Sequence, residues 1–149
     1  MLAREIMTPD PACCAADDTI KAAAQLMAQN DCGCIPVVDS DEEARVIGMI
    51  TDRDIAVRGV ARGNNPDTRV GDLMSPDPLC CSPDVNVDEI EKLMADHQVR
   101  RVAVVDNQGR CIGIIAQADL ARAAETGNGL SEHEVGRVVA AISEPTNLH

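Results

Sequence analysis

The chain has 149 residues, of which 45% are hydrophobic, and a formal net charge of −12. This length and apolar content suffice for one compact domain, whereas the negative charge argues against nucleic acid as a partner, because affinity for its backbone depends on basic side chains. Phe, Tyr and Trp are absent, so we expect an aliphatic core and no aromatic stacking on a bound base.

The first half of the chain predicts the order strand, helix, strand, strand, helix. Asp17, Asp18 and Thr19 are typical of a helix start, and apolar residues then recur at helical spacing. Two β-branched runs joined by an acidic loop indicate a hairpin, which a second helix follows. In chain order, these five elements are expected at residues 12–14, 20–29, 35–38, 46–51 and 52–61.

The second half repeats this order. Met-Thr-Pro-Asp-Pro at residues 7–11 returns as Met-Ser-Pro-Asp-Pro at 74–78, and Ile-Pro-Val-Val-Asp at 35–39 returns as Val-Ala-Val-Val-Asp at 102–106. A unit of this size cannot bury its apolar face alone, so two copies are expected to share a core and to leave two related clefts between them.

A break with the sequence Gly-Asn-Asn-Pro at residues 63–66 separates the two copies. The apolar stripe of a last helix is expected to pack on the body of the protein or on a partner. We therefore expect repeat 1 at residues 3–62, a linker at 63–69, repeat 2 at 70–124 and a C-terminal helix at 130–143.

No segment approaches the ~20 apolar residues of a membrane span, and the first residues do not resemble a signal peptide. We expect a cytoplasmic protein that does not contact a membrane. In that compartment the seven cysteines should stay reduced. Candidates for a zinc or redox site are Cys13, Cys14, Cys32 and Cys34. Their spacing differs from the C-x2-C pairs of structural zinc, so core thiols are the favoured interpretation and no metal site is predicted.

The order of motifs resembles the CBS (cystathionine β-synthase) domain. Met-Thr-Pro stands at the head of the unit, Pro-Val-Val-Asp in its middle and Ile-Thr-Asp-Arg-Asp at its end, and the likeness extends from Arg4 to about Ala124. The tandem resembles a Bateman module, as in small bacterial stand-alone CBS proteins of the hypoxic response protein type. This resemblance implies an α/β (α+β) fold of two βαββα repeats packed with pseudo-twofold symmetry, clefts that bind adenosine nucleotides, and a homodimer.

The stretch from Thr51 to Asp54 has two interpretations. As a capping box, Thr51 accepts from the Asp54 N–H while the Asp54 carboxylate accepts from the Thr51 N–H. As an anion site, the same helix start offers N–H groups and Thr51 to a phosphate, with Arg53 nearby. The family resemblance implies that Asp54 accepts from ribose hydroxyls, and with it we favour ligand contact.

The matching stretch of the second copy begins at Ala116 and ends at Asp119, so the acid persists where the hydroxyl is lost. We therefore expect Asp119 to contact a ribose rather than to cap its helix, with a solvated acid at the helix start as the alternative. We expect the first cleft to be the stronger site.

A wall for the base is expected from Gly33, Ile35 and Pro36, where Gly33 permits close backbone approach. The same residues are also typical of a turn that enters a core strand, and the two interpretations are compatible. In the second copy Arg100 replaces Gly33. It is expected to narrow the second cleft or to reach a phosphate, with a solvated surface position as the alternative.

No catalytic motif is present, so we predict no catalytic residues and no enzyme. The function expected is a regulatory module that requires no cofactor, binds AMP, ADP, ATP, NAD or S-adenosylmethionine, and passes a conformational change to a downstream protein. The alternatives are a cysteine-based redox or zinc sensor and a ligand-free dimerisation scaffold.

Overall fold

Residues 1–125 are described by a computed structural model of the chain, and the helix predicted at 130–143 lies outside them. The mixed fold of two repeats predicted from the sequence is confirmed. The helices are α1 (Ala3–Ile6), α2 (Ile20–Asn30), α3 (Asp52–Asp54), α4 (Val70–Leu73), α5 (Val87–His97) and α6 (Gln117–Glu125). The strands are β1 (Thr8–Pro9), β2 (Cys14–Ala15), β3 (Cys34–Val38), β4 (Val46–Thr51), β5 (Ser75–Pro76), β6 (Cys80–Cys81), β7 (Arg101–Val105) and β8 (Cys111–Ala116).

The described residues form two compact units. The first unit comprises residues 10–78 and 107–111, and the second comprises residues 1–9 and 79–106 together with the described residues from 112 onward. Each unit contains one four-stranded sheet. Among residues 1–125, no helix is both long and apolar enough to cross a bilayer.

In the first unit the strand order is β2-β3-β4-β5. Strand β2 runs parallel to β3, while β4 is antiparallel to both of its neighbours. Helix α2 begins where predicted, because the Thr19 hydroxyl accepts from the Ala22 N–H at 3.1 Å. The aliphatic core of this unit is made by Cys14, Ile20, Ala23, Met27, Ile35, Val37, Ile50, Val70 and Leu73.

The helix predicted from residue 52 to about 61 is irregular. It begins as α3, continues as a π-helical turn over Ile55–Gly59 and closes as a 3-10 turn over Val60–Arg62. Gly59 is buried at this point, and a Cβ there would lie 3.2 Å from Ile20 Cδ1 and 3.4 Å from Leu73 Cδ1. The backbone of the irregular turn therefore packs closely on α2 and α4.

In the second unit the strand order is β1-β8-β7-β6. The Asn86 side chain caps α5 by accepting from the Asp88 N–H at 3.4 Å, where a capping box would use the Glu89 N–H. The buried core consists of Ala3, Cys81, Val87, Ile90, Met94, Val102, Val104, Ile115 and Leu120.

The head segment of each sequence repeat pairs with the sheet of the other repeat. Strand β1 pairs antiparallel with β8, so Thr8 lies opposite Ile114, and β5 pairs antiparallel with β4, so Ser75 lies opposite Met49. The repeat boundaries at 3–62 and 70–124 are divisions of the sequence, whereas the compact units exchange these segments. This exchange decides which residues share a site.

Glycines make room for the exchanged segments. A Cβ added at Gly48 would overlap the Met74 side chain and lie 2.9 Å from the Ser75 carbonyl oxygen, and a Cβ at Gly113 would overlap Met7 in the same manner. The recurrence of the Met-(Thr/Ser)-Pro head and of this glycine thus has one structural cause, since the methionine of each head lies against the glycine of its partner strand.

Candidate functional site

The start of α3 is a capping box, which is one of the two interpretations that the sequence allowed. The Thr51 N–H donates to Asp54 Oδ2 at 3.0 Å, and the Asp54 N–H donates to Thr51 Oγ1 at 3.1 Å. The other carboxylate oxygen, Oδ1, lies 3.9 Å from Arg58 Nε. Contact of Thr51 and Asp54 with a ligand stays a prediction.

Asp119 also caps its helix, although Ala116 provides no hydroxyl. The Ala116 N–H donates to Asp119 Oδ2 at 2.7 Å, and Arg122 forms an ion pair with Oδ1. The Asp119 side chain is only 6% exposed. The expectation that Asp119 has no capping role is therefore wrong, because a carboxylate can accept the helix-start N–H without a reciprocal hydroxyl.

The two acids share one arrangement. In each, Oδ2 accepts from the N–H three residues earlier, and Oδ1 faces an arginine one helical turn later, Arg58 or Arg122. A carboxylate offers about four lone-pair sites, so each acid retains acceptor capacity on Oδ1. Arg122 was not among the site residues predicted from the sequence. The signal that could have found it was an arginine three or four residues after the acid in both repeats.

An open pocket of about 400 Å³ lies beside Asp119 within the second unit. It lies between the N-terminal segment and α6, and most of its apolar side chains come from the head of the chain. Its lining residues are Met1, Glu5, Ile6, Met7, Thr8, Pro9, Asp119, Arg122 and Ala123. Sequence reasoning did not place Thr8 here, because the repeat of the head motif shows that a unit begins but not which sheet the head joins.

Gly33 and Arg100 occupy equivalent positions, as the repeat alignment predicted. The Asp52 N–H donates to the Gly33 carbonyl at 3.0 Å, and the Gln117 N–H donates to the Arg100 carbonyl at the same distance. A Cβ at Gly33 would lie 2.8 Å from Asp52 Oδ2. The close approach that Gly33 permits is thus to the Asp52 carboxylate.

The predicted wall for the base needs one correction. Ile35 has no exposed surface and packs in the core of the first unit, so it is not available to a ligand. Pro36 is also buried within β3, and its contact with a base stays a prediction. Arg53 and Arg100 are exposed, and their predicted approach to a phosphate likewise stays a prediction.

The four cysteines proposed for a zinc or redox site do not form a ligand set. Among residues 1–125, no three His, Cys, Asp or Glu side chains converge as metal ligands would. Burial, followed by the charges of Asp18 and Cys34, raises the pKa of Cys14 to about 12. Burial raises the pKa of its repeat counterpart, Cys81, to about 11. Both thiols therefore behave as core residues. Of the four candidates, Cys14 and Cys34 are buried, as the favoured interpretation predicted, and Cys13 is half-buried. Cys32 is exposed, so the prediction of a core thiol is wrong at that position, where the side chain follows the end of α2.

The model of the CBS domain matches residues 3–59 and 70–126, which together are more than half of the chain. The chain belongs to the CBS domain family. Hypoxic response protein 1 of Mycobacterium tuberculosis is 37% identical to this CBS protein over 147 residues, covering 98% of this chain and 96% of the relative. The CBS domain-containing protein YhcV of Bacillus subtilis is 38% identical over 146 residues, covering 98% and 97%.

Solved structures of CBS domain pairs share the fold. Hypoxic Response Protein I, crystallised with two coordinated zinc ions, is similar with a TM-score of 0.72 and 37% identity over 82% of this chain and 98% of that one. The CBS domain pair of protein MJ0100 in complex with 5-methylthioadenosine and S-adenosyl-L-methionine gives 0.73 and 25% over 82% and 98%. CBSX2 in complex with AMP gives 0.71 and 25% over 84% and 96%. Two of these CBS pairs, those of MJ0100 and CBSX2, thus bind adenosine-containing ligands.

Proposed function

We propose that this CBS protein is a regulatory module that binds an adenosine-containing nucleotide or cofactor. The ligand class is AMP, ADP, ATP, NAD or S-adenosylmethionine. The observation that carries the proposal is the recurrence of one carboxylate arrangement, in which Asp54 and Asp119 each use one oxygen for the helix start and keep the other for a second donor. The two adjacent hydroxyls of a ribose are suitable donors for that remaining oxygen.

The Asp119 pocket is the site we assign to the first ligand. Its volume of about 400 Å³ lies within the range of small-molecule pockets. Thr8 brings to this pocket the hydroxyl that Ala116 lacks, because β1 pairs with β8. Placing the first ligand at the Asp119 pocket reverses the expectation from the sequence. That expectation considered only the helix start and favoured the cleft with Thr51 and Asp54.

Other pocket residues suit the remaining parts of the ligand. Ile6 and Met7 offer aliphatic surface to a base in a chain without aromatic rings. The Arg122 guanidinium, which forms an ion pair with Asp119, can turn to a phosphate or carboxylate of the ligand. Anion binding would then release Oδ1 of Asp119 for the ribose, so the two contacts would form together.

The regulatory step follows from differential affinity. A ligand shifts the protein between two arrangements only by the difference in its affinity for them, and exchange of the Arg122 and Asp119 ion pair for ligand contacts provides such a difference. A homodimer and a downstream protein that reads the shift complete the proposal. No catalytic step is proposed, because both acids are already engaged as helix caps.

Calorimetric titration of the full chain with the five ligands tests this function. Asp119→Asn keeps a side-chain oxygen for the Ala116 N–H while removing the charge, and Asp54→Asn is its matched counterpart in the first repeat. We expect heat with at least one ligand and about tenfold or greater weakening in Asp119→Asn, since an acceptor for a charged hydrogen bond is lost. Absence of heat with all five ligands would instead support the ligand-free scaffold, and unchanged affinity in both variants would reject the proposed contacts.

A further inference from the structure

Two cysteines that are far apart in the sequence meet in the first unit. Cys13 precedes β2, and Cys111 is the first residue of β8. Pro9 lies opposite Gly113 in the pairing of β1 with β8, so the segment that leads to Cys13 runs beside the start of β8. The Cys13 Sγ donates to the Pro11 carbonyl at 3.4 Å, and the Cys111 side chain is its hydrogen-bonding neighbour. Both thiols are half-buried, and so they remain partly accessible to a small reagent.

Backbone contacts hold Cys111 at this place. Its N–H donates to the Ala44 carbonyl at 3.2 Å, and the Val46 N–H donates to the Gly109 carbonyl at 3.2 Å. Arg45 and Arg110 form an antiparallel bridge between the same two loops. The loop that carries Cys111 is therefore attached to the hairpin of the first repeat, and the meeting of the thiols does not depend on side-chain packing alone.

The surroundings of Cys13 differ from those of its neighbour. The hydrogen bond from Cys111 lowers the pKa of Cys13, and this effect outweighs the opposing effects of burial and of Cys14. Cys14, by contrast, is 3% exposed and has its pKa raised to about 12. A thiolate is the reactive form of cysteine, so Cys13 ionises more readily than Cys14 and is the more reactive of the two neighbours.

We propose that Cys13 and Cys111 form a site of reversible oxidation, at which a hydroperoxide converts the two thiols into an intrachain disulfide. The Cys13 thiolate attacks the O–O bond of the peroxide, which breaks to give a Cys13 sulfenic acid and, after protonation, water or an alcohol. The Cys111 sulfur then attacks the Cys13 sulfur, so that an S–S bond forms, the S–O bond breaks and a second water leaves with the Cys111 proton. Two thiols lose two electrons, and one peroxide takes them up.

The duplicated sequence provides a built-in control. Cys80 is the repeat counterpart of Cys13, but the counterpart of Cys111 is Val46, by the offset that aligns Gly48 with Gly113. Cys80 and Cys32 are both exposed, so they report simple accessibility to oxidant. We therefore expect the disulfide to form between Cys13 and Cys111 because they are neighbours, and not at a thiol that is merely exposed.

The test uses the full reduced chain, treated with limiting hydrogen peroxide, quenched with an alkylating reagent and digested with trypsin without reduction. We expect the peptide of residues 5–21 to be linked to the peptide of residues 111–122, with loss of two of the seven free thiols and full recovery after dithiothreitol. Residues 5–21 contain both Cys13 and Cys14, so the experiment is repeated with Cys14→Ala, in which the link should persist.

Two further variants make the assignment specific. In Cys111→Ser the linked peptide should disappear and a dimedone adduct should accumulate on Cys13, because the sulfenic acid has lost its resolving thiol. Cys13→Ser should abolish both products. The proposal is overturned if Cys32 and Cys80 are oxidised while Cys13 remains fully alkylated, or if the link is lost in Cys14→Ala and therefore belonged to Cys14.

Discussion

Two substitutions, Thr51→Ala at the start of α3 and Ala116→Thr at the start of α6, test whether a hydroxyl at these positions stabilises the helix. Thr51→Ala removes the hydroxyl that accepts the Asp54 N–H at 3.1 Å, and Ala116→Thr adds a hydroxyl where the Asp119 carboxylate already accepts the Ala116 N–H at 2.7 Å. Loss of a Ser or Thr cap costs about 1 kcal/mol. We therefore expect Thr51→Ala to lower the free energy of unfolding by about 1 kcal/mol and Ala116→Thr to raise it by about 0.5 to 1 kcal/mol.

Urea denaturation followed by circular dichroism measures both changes in the free energy of unfolding. In thermal unfolding, the two substitutions should shift the melting temperature by about 2 to 4 °C in opposite directions. The double variant should lie near the wild type, because the two helix starts are separate and their effects should add. The reasoning is refuted if Ala116→Thr destabilises the protein, or if Thr51→Ala changes the free energy of unfolding by less than about 0.3 kcal/mol.

Three other predictions concern the ionisation of two buried thiols, the packing of two glycines and the contact of Arg122 with a phosphate. The raised pKa values of Cys14 and Cys81, about 12 and 11, mean that stability is complete below about pH 9 and falls as the pH rises toward those values, by at most about 1.4 kcal/mol per pH unit for each thiol. Denaturation at pH 8 and pH 10.5 should show this loss, and Cys14→Ala should reduce it. Gly48→Ala and Gly113→Ala should each lower stability by about 1 to 3 kcal/mol, because the new Cβ overlaps a methionine that the exchanged strand holds in place. Gly63→Ala, with φ of 78° but no atom within 4 Å, should cost the strain of about 1 to 2 kcal/mol. Unchanged melting temperatures in Gly48→Ala and Gly113→Ala would argue against the overlap. Arg122→Gln should weaken AMP binding several-fold while leaving adenosine binding nearly unchanged, and an equal loss for both ligands would exclude a phosphate contact.

Much of the fold could be predicted from the sequence because its determinants are local. The hydroxyl of Thr19 begins α2, the spacing of Thr51 and Asp54 is that of a capping box, and both interactions span three residues. The 67-residue repeat of the head motif showed that the elements occur twice. Local chemistry and duplication thus sufficed for element order and family resemblance.

One error is local, since Asp119 caps its helix by accepting from the Ala116 N–H three residues earlier. Other errors concern contacts between distant segments. No local pattern indicates that Thr8 joins the sheet of the second repeat, so the pocket that combines Thr8 with Asp119 was missed. Ile35 was expected to offer aliphatic surface to a base, but strand pleating turns its side chain into the core. The contact of Cys13 with Cys111 depends on attachment of two hairpin loops, which has no signature in the spacing of the cysteines.

Contact between the Asp119 carboxylate and a ribose is tested most directly by the ratio of the dissociation constants of AMP and 2′-deoxy-AMP. Removal of one hydroxyl leaves the base and the phosphate unchanged, so the ratio isolates that hydrogen bond. We predict that 2′-deoxy-AMP binds the wild type about tenfold more weakly than AMP, and that this difference shrinks to about twofold or less in Asp119→Asn. Equal affinity of the wild type for the two nucleotides would contradict the account.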